Sequence, residues 1–310
     1  MNQKIERVLA NVQKPGRYVG GELNAVIKDK ADVNVRFAFC FPDVYEVGMS
    51  HLGMKILYSV LNEQPDIWCE RVFAPWVDME QEMRKHDIPL FALESGDSVA
   101  EFDFIGFTLQ YELSYTNILN MLNLAGIPIR AQDRTDLFHI VVAGGPCACN
   151  PEPLADFVDL FFIGEGEQVD LEVIRLYQAC KKEGKSKEEF LQKAAQIQGV
   201  YVPSLYSVTY HDDGTIKEMI PHATAPQTVR KRLELDMDKA YFPEKFVVPS
   251  IEIVHDRAVA EVQRGCIRGC RFCQAGFIYR PVREKSIDMI NRQCRSICEH
   301  TGYDEISLSS

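Results

Sequence analysis

"VNVRFAFCFPDVYEVGMSHLGMKILYSVLNE", residues 33–63, changes its hydrophobic period partway along. Residues 33–42 form a short apolar run rich in Val and Phe, which reads as a buried strand. A loop, "DVYEVGMS", follows. Beyond it Leu52, Ile56, Leu57 and Val60 recur on one helical face, and Ser50 stands where an N-cap belongs. The alternation then repeats. "DIWCERVFAP" (66–75) reads as a strand, "DMEQEMRKH" (78–86) as a helix and "FDFIGFTLQ" (102–110) as a third strand. "SYTNILNMLNLAG" (114–126) sets Ile118, Met121, Leu122 and Ala125 in helical register and closes on Gly126. "DLFHIVVAGGP" (136–146) and "DFVDLFFIGEGE" (156–167) supply two more strands, each running into glycine.

Five strands with intervening helices predict an α/β fold with a parallel sheet wound on both faces. Such sheets bind ligands beyond the carboxyl ends of their strands. The candidate contact loops are therefore residues 42–48, 108–114, 143–153 and 163–168. Glycine there lets backbone approach a ligand, though it also serves simply to turn a chain. Four such loops at one edge favour a binding site.

The 310 residues suffice for about two domains. With 46% hydrophobic and 25% charged residues the composition is that of a soluble globular protein. A net charge of −11 argues against a broad nucleic-acid surface. The triplet Arg230, Lys231 and Arg232 is too short to claim as one. No apolar run approaches the ~20 residues of a membrane-spanning helix. The charged, amphipathic start does not resemble a signal peptide, so the expected location is cytoplasmic. Ten cysteines in that setting do not imply disulfides. Cys40, Cys69, Cys147, Cys149, Cys180, Cys294 and Cys298 are expected to be structural, behaving as small apolar residues.

Residues 1–32 read as an N-terminal extension and residues 171–250 as a connector. Within the connector, "LEVIRLYQACKKEGKSKEEFLQKAAQI" looks helical, charged and solvent-facing. "GVYVPSLYSVTYHDDGTIKEMI" alternates around "DDG", a hairpin signal.

"RGCIRGCRFCQAGFIYRPVRE" (264–284) places Cys266, Cys270 and Cys273 at C-x3-C-x2-C spacing. Thiolates suit zinc and iron–sulfur clusters. Structural zinc wants four ligands, usually as two pairs, and one C-x2-C is present. Three thiols on one compact loop fit a four-iron cluster with one iron left open. The strand-like "RAVAEVQ" precedes the loop, while "SIDMINRQCRSICEHTG" (286–302) reads as a capped helix and "DEISLSS" as another strand. That helix carries Ile287, Ile290, Cys294 and Ile297 as an apolar stripe. Strand, loop, helix, strand is the opening of a parallel β/α barrel, in which functional groups sit at the carboxyl ends of strands.

"DVYEVG", "TLQ", "VVAGGP" and "IGEGE" together resemble the cobalamin-binding domains of radical S-adenosylmethionine enzymes over residues 33–170. The cysteine loop resembles the C-x3-C-x-Φ-C motif of the same enzymes, with Phe272 as the aromatic. The segments 41–58 and 261–286 look like an uncharacterised bacterial branch of the cobalamin-binding radical S-adenosylmethionine family. That resemblance implies a doubly wound Rossmann or flavodoxin-like domain, then the start of a partial TIM barrel over residues 251–310. It implies a [4Fe–4S] cluster on Cys266, Cys270 and Cys273, which also makes them the catalytic residues. S-adenosylmethionine would bind the open iron, with Phe272 beside the adenine, and be cleaved reductively to a 5′-deoxyadenosyl radical. Methylation of an unknown substrate is one outcome of that chemistry. Cobalamin would contact Asp43, Tyr45, Gly48, Thr108, Gly144, Gly145, Glu165 and Gly166. The family's first loop has histidine where Tyr45 stands, and a phenol is a poor ligand at neutral pH. The resemblance thus implies cobalamin without a histidine on cobalt, His51 being a surface or capping residue. A flavodoxin or ferredoxin would be the reductant.

The second reading is a methylthiotransferase acting on RNA or a ribosomal protein, and the third a non-enzymatic corrinoid- or metal-binding module. A barrel of ~250 residues uses about 30 per unit, so residues 251–310 hold roughly two units. The expectation is an amino-terminal fragment of a longer enzyme, inactive alone, with Ile306 and Leu308 on an exposed strand edge.

Overall fold

Residues 3–310 are described in the computed structural model of the chain. The opening helix α1 (Gln3–Val8) buries Ile5 and Val8, and Val12 and Tyr18 follow them into the core. The segment read as an extension is therefore part of the packed body.

The alternation of strand and helix follows as the patterning dictates. β1 (Val35–Phe41) leads through a short turn of helix, α2 (Tyr45–Gly48), to α3 (Leu52–Asn62). Next come β2 (Ile67–Phe73), α4 (Val77–Lys85), β3 (Phe104–Thr108) and α5 (Tyr115–Ala125). β4 (Ile140–Gly144) and β5 (Leu160–Phe162) precede α6 (Gly166–Lys182), α7 (Lys187–Ala194) and β6 (Val200–Tyr201). They form one sheet in the order β2-β1-β3-β4-β5-β6. β1 to β5 run parallel, and β6 joins β5 antiparallel. A two-residue strand is too short to show a period, which is why β6 was not expected.

Both faces of the sheet are covered. α3 and α6 pack together on one face. On the other, Arg84 of α4 reaches Asn120 and Asn123 of α5 at 2.8 and 3.0 Å. The α3–α6 face is aromatic: the Phe104 ring stacks 5.8 Å from Phe37 and meets Tyr177 edge-on at 4.8 Å. Tyr177, Val173, Ile174, Cys180 and Phe190 are buried, so α6 and α7 are not the solvent-facing pair their lysine and glutamate content suggested.

The hairpin β7 (Tyr206–Tyr210) and β8 (Ile216–Pro221) turns at "DDG" as expected. Beyond it the connector crosses back without a helix or strand among the described residues until β9 (Ala258–Glu261), which pairs in parallel with β12 (Ile306–Ser309). Between them lie β10 (Gln263–Arg264), α8 (Ala275–Ile278), β11 (Arg283–Glu284) and α9 (Ile287–Thr301). The Ser286 hydroxyl caps α9 by accepting from the Met289 N–H, and Gly302 ends it. The expected apolar stripe of α9 is only partly used. Ile297 is fully buried against Ala258 and Phe246, but Ile287 is exposed, because two strands offer the helix a short surface. Ile306 and Leu308 are exposed as anticipated.

A buried charge ties the amino-terminal segment to the sheet. Arg71 on β2 pairs with Glu22 at 2.8 Å and Glu94 at 2.6 Å, all three nearly inaccessible. Burial alone would raise the Glu22 carboxyl, but Arg71 overcomes it and holds the group below the usual range. Arg71→Leu leaves two buried carboxylates without a counter-charge, a loss of about 3–5 kcal/mol. Urea unfolding should show a clearly lower midpoint, and an unchanged midpoint would refute the structural role.

Candidate active site

The carboxyl ends of β1, β3, β4 and β5 open onto a cavity of about 470 Å³. Phe37, Phe39, Val142 and Phe162 form its sheet wall, and Ile56 and Leu57 of α3 face them. The far wall is the cysteine loop, through Gly265, Cys266, Cys273 and Tyr279. Glycine makes the sheet wall hollow. A β-carbon at Gly106 would collide with the Phe37 ring, which occupies the space a side chain would need. Gly164, at φ +110°, allows a close approach of two backbones instead. A β-carbon there would run into the Arg232 carbonyl oxygen, against which the loop after β5 is threaded.

That loop clamps the two halves of the cavity together. Arg264, just before the cysteines, donates to Glu167 at 2.6 Å and Glu261 at 2.8 Å and pairs with Glu165 at 3.4 Å. Arg283, just after them, pairs with Glu165 at 2.6 Å and donates to the Glu234 carbonyl. Lys285 adds a contact to Glu261 at 3.5 Å. Burial opposes the charge on Arg264, but Glu167 and Glu261 outweigh it and raise its pKa. The cysteine loop is thus anchored at both ends to the start of α6.

Within the loop, Cys266 and Cys270 are exposed and Cys273 is half-buried. The Arg268 N–H lies 3.4 Å from the Cys266 sulfur, and the Cys273 N–H donates to the Cys270 carbonyl at 3.1 Å. Among the described residues, no three His, Cys, Asp or Glu side chains converge as a single metal ion requires. The donor set is nonetheless three thiols on one open loop. That suits a cluster, whose irons are spread over several ångströms, better than a lone zinc. Phe272, expected to lie beside adenine, is 93% exposed and is not part of the cavity wall.

Of the residues expected around cobalamin, Thr108, Gly144, Gly145, Glu165 and Gly166 line the cavity. Asp43, Tyr45 and Gly48 do not. Tyr45 is turned into the core, where its hydroxyl donates to Glu22 at 3.0 Å and accepts from the Ser250 N–H. Gly48 is packed under Phe73 and Phe41, and Asp43 accepts from the Tyr111 hydroxyl. The first loop folds inward because α2 carries Glu46 onto Arg17, at 2.8 Å.

His51 is a cap, and it is also on the cavity wall. It replaces Ser50 as the N-cap of α3, its Nδ1 accepting from the Met54 N–H at 3.1 Å. Ser50 instead donates to the Glu46 carbonyl. The cap bond commits Nδ1 as an acceptor, which leaves the proton on Nε2. Gln110, whose amide nitrogen donates to Thr108, shares a hydrogen bond with the ring. Burial holds the imidazole below its ordinary pKa of 6.5, so it is neutral at pH 7. With Nε2 protonated, the ring has no free lone pair to offer a metal.

Several of these residues have no signal in the sequence. Arg264 and Arg283 flank the cysteines openly but carry no spacing pattern. Asp170, which lines the cavity from α6, did have one, because it interrupts the apolar stripe of Val173, Ile174 and Tyr177.

Cys149, expected to be buried, is exposed on the loop after β4, while Cys294 and Cys298 are half-buried. Cys40, Cys69, Cys147 and Cys180 are buried as expected.

Residues 53–203 match the family model described as radical SAM proteins, N-terminal. The uncharacterized protein MJ0966 of Methanocaldococcus jannaschii is 28% identical over 255 residues, covering 81% of this chain and 43% of that protein. This chain thus spans less than half the length of that curated relative. Among solved structures, the fold is similar to the radical S-adenosylmethionine methyltransferase TsrM from Kitasatospora setae. The TM-score is 0.50 at 12% identity, over 89% of this chain and 47% of that one. It is also similar to the cobalamin-dependent S-adenosylmethionine radical enzyme OxsB, solved with aqua-cobalamin and S-adenosylmethionine bound. There the TM-score is 0.52 at 16% identity, over 89% of this chain and 34% of that one. No helix among the described residues is long and apolar enough to cross a membrane.

Two measurements check this geometry. Nitrogen-15 NMR of His51 should find the Nε2–H tautomer at pH 7. Because its folded pKa is depressed, its contribution to stability is complete above about pH 6.5 and fades as the pH falls through the folded value. A charged ring at pH 7 would contradict the cap. Arg264→Leu should speed hydrogen exchange across residues 265–284 by about tenfold or more, the effect of losing charge-assisted hydrogen bonds. Unaltered exchange there would mean the loop is anchored elsewhere.

Proposed function

We propose that this chain is the cofactor-handling part of a radical S-adenosylmethionine enzyme that also holds cobalamin. One observation carries the reading: Cys266 and Cys273 line the same cavity as Thr108, Gly144, Gly145 and Gly166 at the edge of the parallel sheet. A thiol loop and a sheet-edge ligand site thus face each other across a single space, the arrangement a reaction between two cofactors needs. The family match and the fold of the two similar enzymes support it.

In this reading Cys266, Cys270 and Cys273 hold a [4Fe–4S] cluster at the cavity mouth. That cluster, when bound, supplies the electron for reductive cleavage of S-adenosylmethionine. The chain's own part is placement. Arg264 and Arg283 fix the loop against α6, and the apolar wall of Phe37, Phe39 and Phe162 excludes water from the inner end. Gly144 and Gly145 let a large planar ligand approach the backbone. Corrinoid held here would take no nitrogen from His51, whose Nδ1 is already committed to the α3 cap. The electron donor would be a flavodoxin- or ferredoxin-like protein. Methyl transfer to an unreactive carbon is the outcome we favour. The methylthiotransferase reading, with a second cluster, is disfavoured because the other cysteines bring at most two together: Cys147 and Cys149 share the loop after β4, while Cys40 lies in β1, Cys69 in β2 and Cys180 in α6.

Anaerobic reconstitution with iron and sulfide should load about four irons per chain, together with inorganic sulfide. Replacing Cys266, Cys270 and Cys273 with Ala should abolish that loading while corrinoid binding, followed by absorbance, persists. Zinc alone at the thiols, or no corrinoid uptake, would overturn the proposal.

A further inference from the structure

Asp170 lies on α6, lines the cavity and is 4% exposed. It belongs to no ion pair among those formed by the described residues, and its Oδ1 has no hydrogen-bond partner. The other buried carboxylates nearby are all matched: Glu165, Glu167 and Glu261 each meet Arg264, and Arg283 and Lys285 add to the balance. Three acids thus face three bases, and Asp170 stands outside the set. Burial first, and then the neighbouring Glu167 charge, push its carboxyl well above the usual range. Both influences favour the protonated form of this carboxyl, the form that has an O–H to give.

Its surroundings say what could accept that proton. Gly166, one turn earlier on α6, packs closely beside it: a β-carbon there would crowd Asp170 Oδ2 at 3.3 Å and Leu57 at 3.1 Å, so glycine lets the carboxyl keep its place on the cavity wall. The adjoining cavity wall is aromatic and uncharged, through Phe37, Phe39 and Phe162. A flat, neutral ring fits such a wall, whereas a phosphate or carboxylate would find the one nearby guanidinium in the lining, Arg264, already matched by Glu165, Glu167 and Glu261. A buried polar atom without a partner in the free protein is an open hydrogen-bonding position.

We propose that Asp170 is the residue that selects the ring-bearing end of the cavity's ligand, its carboxyl O–H donating a hydrogen bond to an acceptor atom of a nitrogen heterocycle lying along Phe37, Phe39 and Phe162. This rests on the reading of the cavity as a cofactor site given above. Two ligands of that reading carry such a ring, the base of the corrinoid nucleotide and the adenine of S-adenosylmethionine.

The test uses the full chain with its cluster reconstituted. Aquacobalamin, cobinamide (a corrinoid without the nucleotide base) and S-adenosylmethionine are titrated against wild type, Asp170→Asn, Asp170→Leu and Asp170→Ala. The amide of Asn retains an N–H donor and should stay within about threefold of wild type, whereas Leu and Ala should lose about tenfold or more for one ligand. A loss for aquacobalamin with cobinamide unchanged assigns the contact to the corrinoid base. A loss confined to S-adenosylmethionine assigns it to adenine. The ligand-free Leu variant should melt at or above the wild-type temperature, since it replaces an unpartnered polar group with an apolar one of similar size. The Ala variant repeats the binding test without overpacking. Equal affinities for both ligands in wild type, Leu and Ala would overturn this inference while leaving the cofactor reading intact, as would an Asn variant as weak as Leu. A wild-type protein that binds neither ligand removes the cofactor reading and this inference together.

Discussion

Arg264 meets carboxylates from two separate parts of the chain, and the geometry of the cavity follows from that meeting. Glu165 and Glu167 belong to the start of α6, while Glu261 ends β9. Taking a guanidinium and three acids out of water is costly, and such clusters add little net stability compared with apolar packing. They are costly to break, however, and tolerant of few alternative arrangements. The network therefore specifies one placement of the cysteine segment against the sheet edge, with Arg283 repeating the anchor on the far side of the loop.

That placement gives "IGEGE" a use its composition does not reveal. The glycines shape the turn and the cavity wall, while the two glutamates are the docking points for the thiol-bearing segment. A loop that reads as a ligand contact is at the same time the joint between the sheet and the strand that leads to the cysteines.

What could be read in the sequence was whatever depends on local spacing. The five parallel strands announce themselves as apolar runs, the last two running into glycine, and the thiol loop as three sulfurs within eight residues. Partners distant in sequence were invisible. Tyr45 sits at a position that local pattern assigns to a cofactor, yet its hydroxyl answers to Glu22, 23 residues earlier, and to Ser250, 205 residues later. The core face of α6, which Val169, Val173, Ile174 and Tyr177 make every three to four residues, is masked in the sequence by the lysine and glutamate run "KKEGKSKEE" that follows it. Phe272 could be placed in the motif, but its orientation depends on the rest of the loop. Local pattern gave the cap itself to Ser50, while His51 read as a surface or capping residue. Its second position, on the cavity wall, required knowing that Gln110 arrives from another strand end.

The depth of the cavity traces back to a single hydrogen atom. Gly106 sits inside a central strand whose neighbours are held in register on both sides, so the backbone there cannot retreat. Phe37 leans into the vacancy that this residue leaves. A methyl group at that point would drive the ring outward into the hollow, and the scaffold would keep its topology while ceasing to be a receptacle. Capacity to hold a guest and integrity of the sheet are thus separable properties of this chain, decided at different atoms.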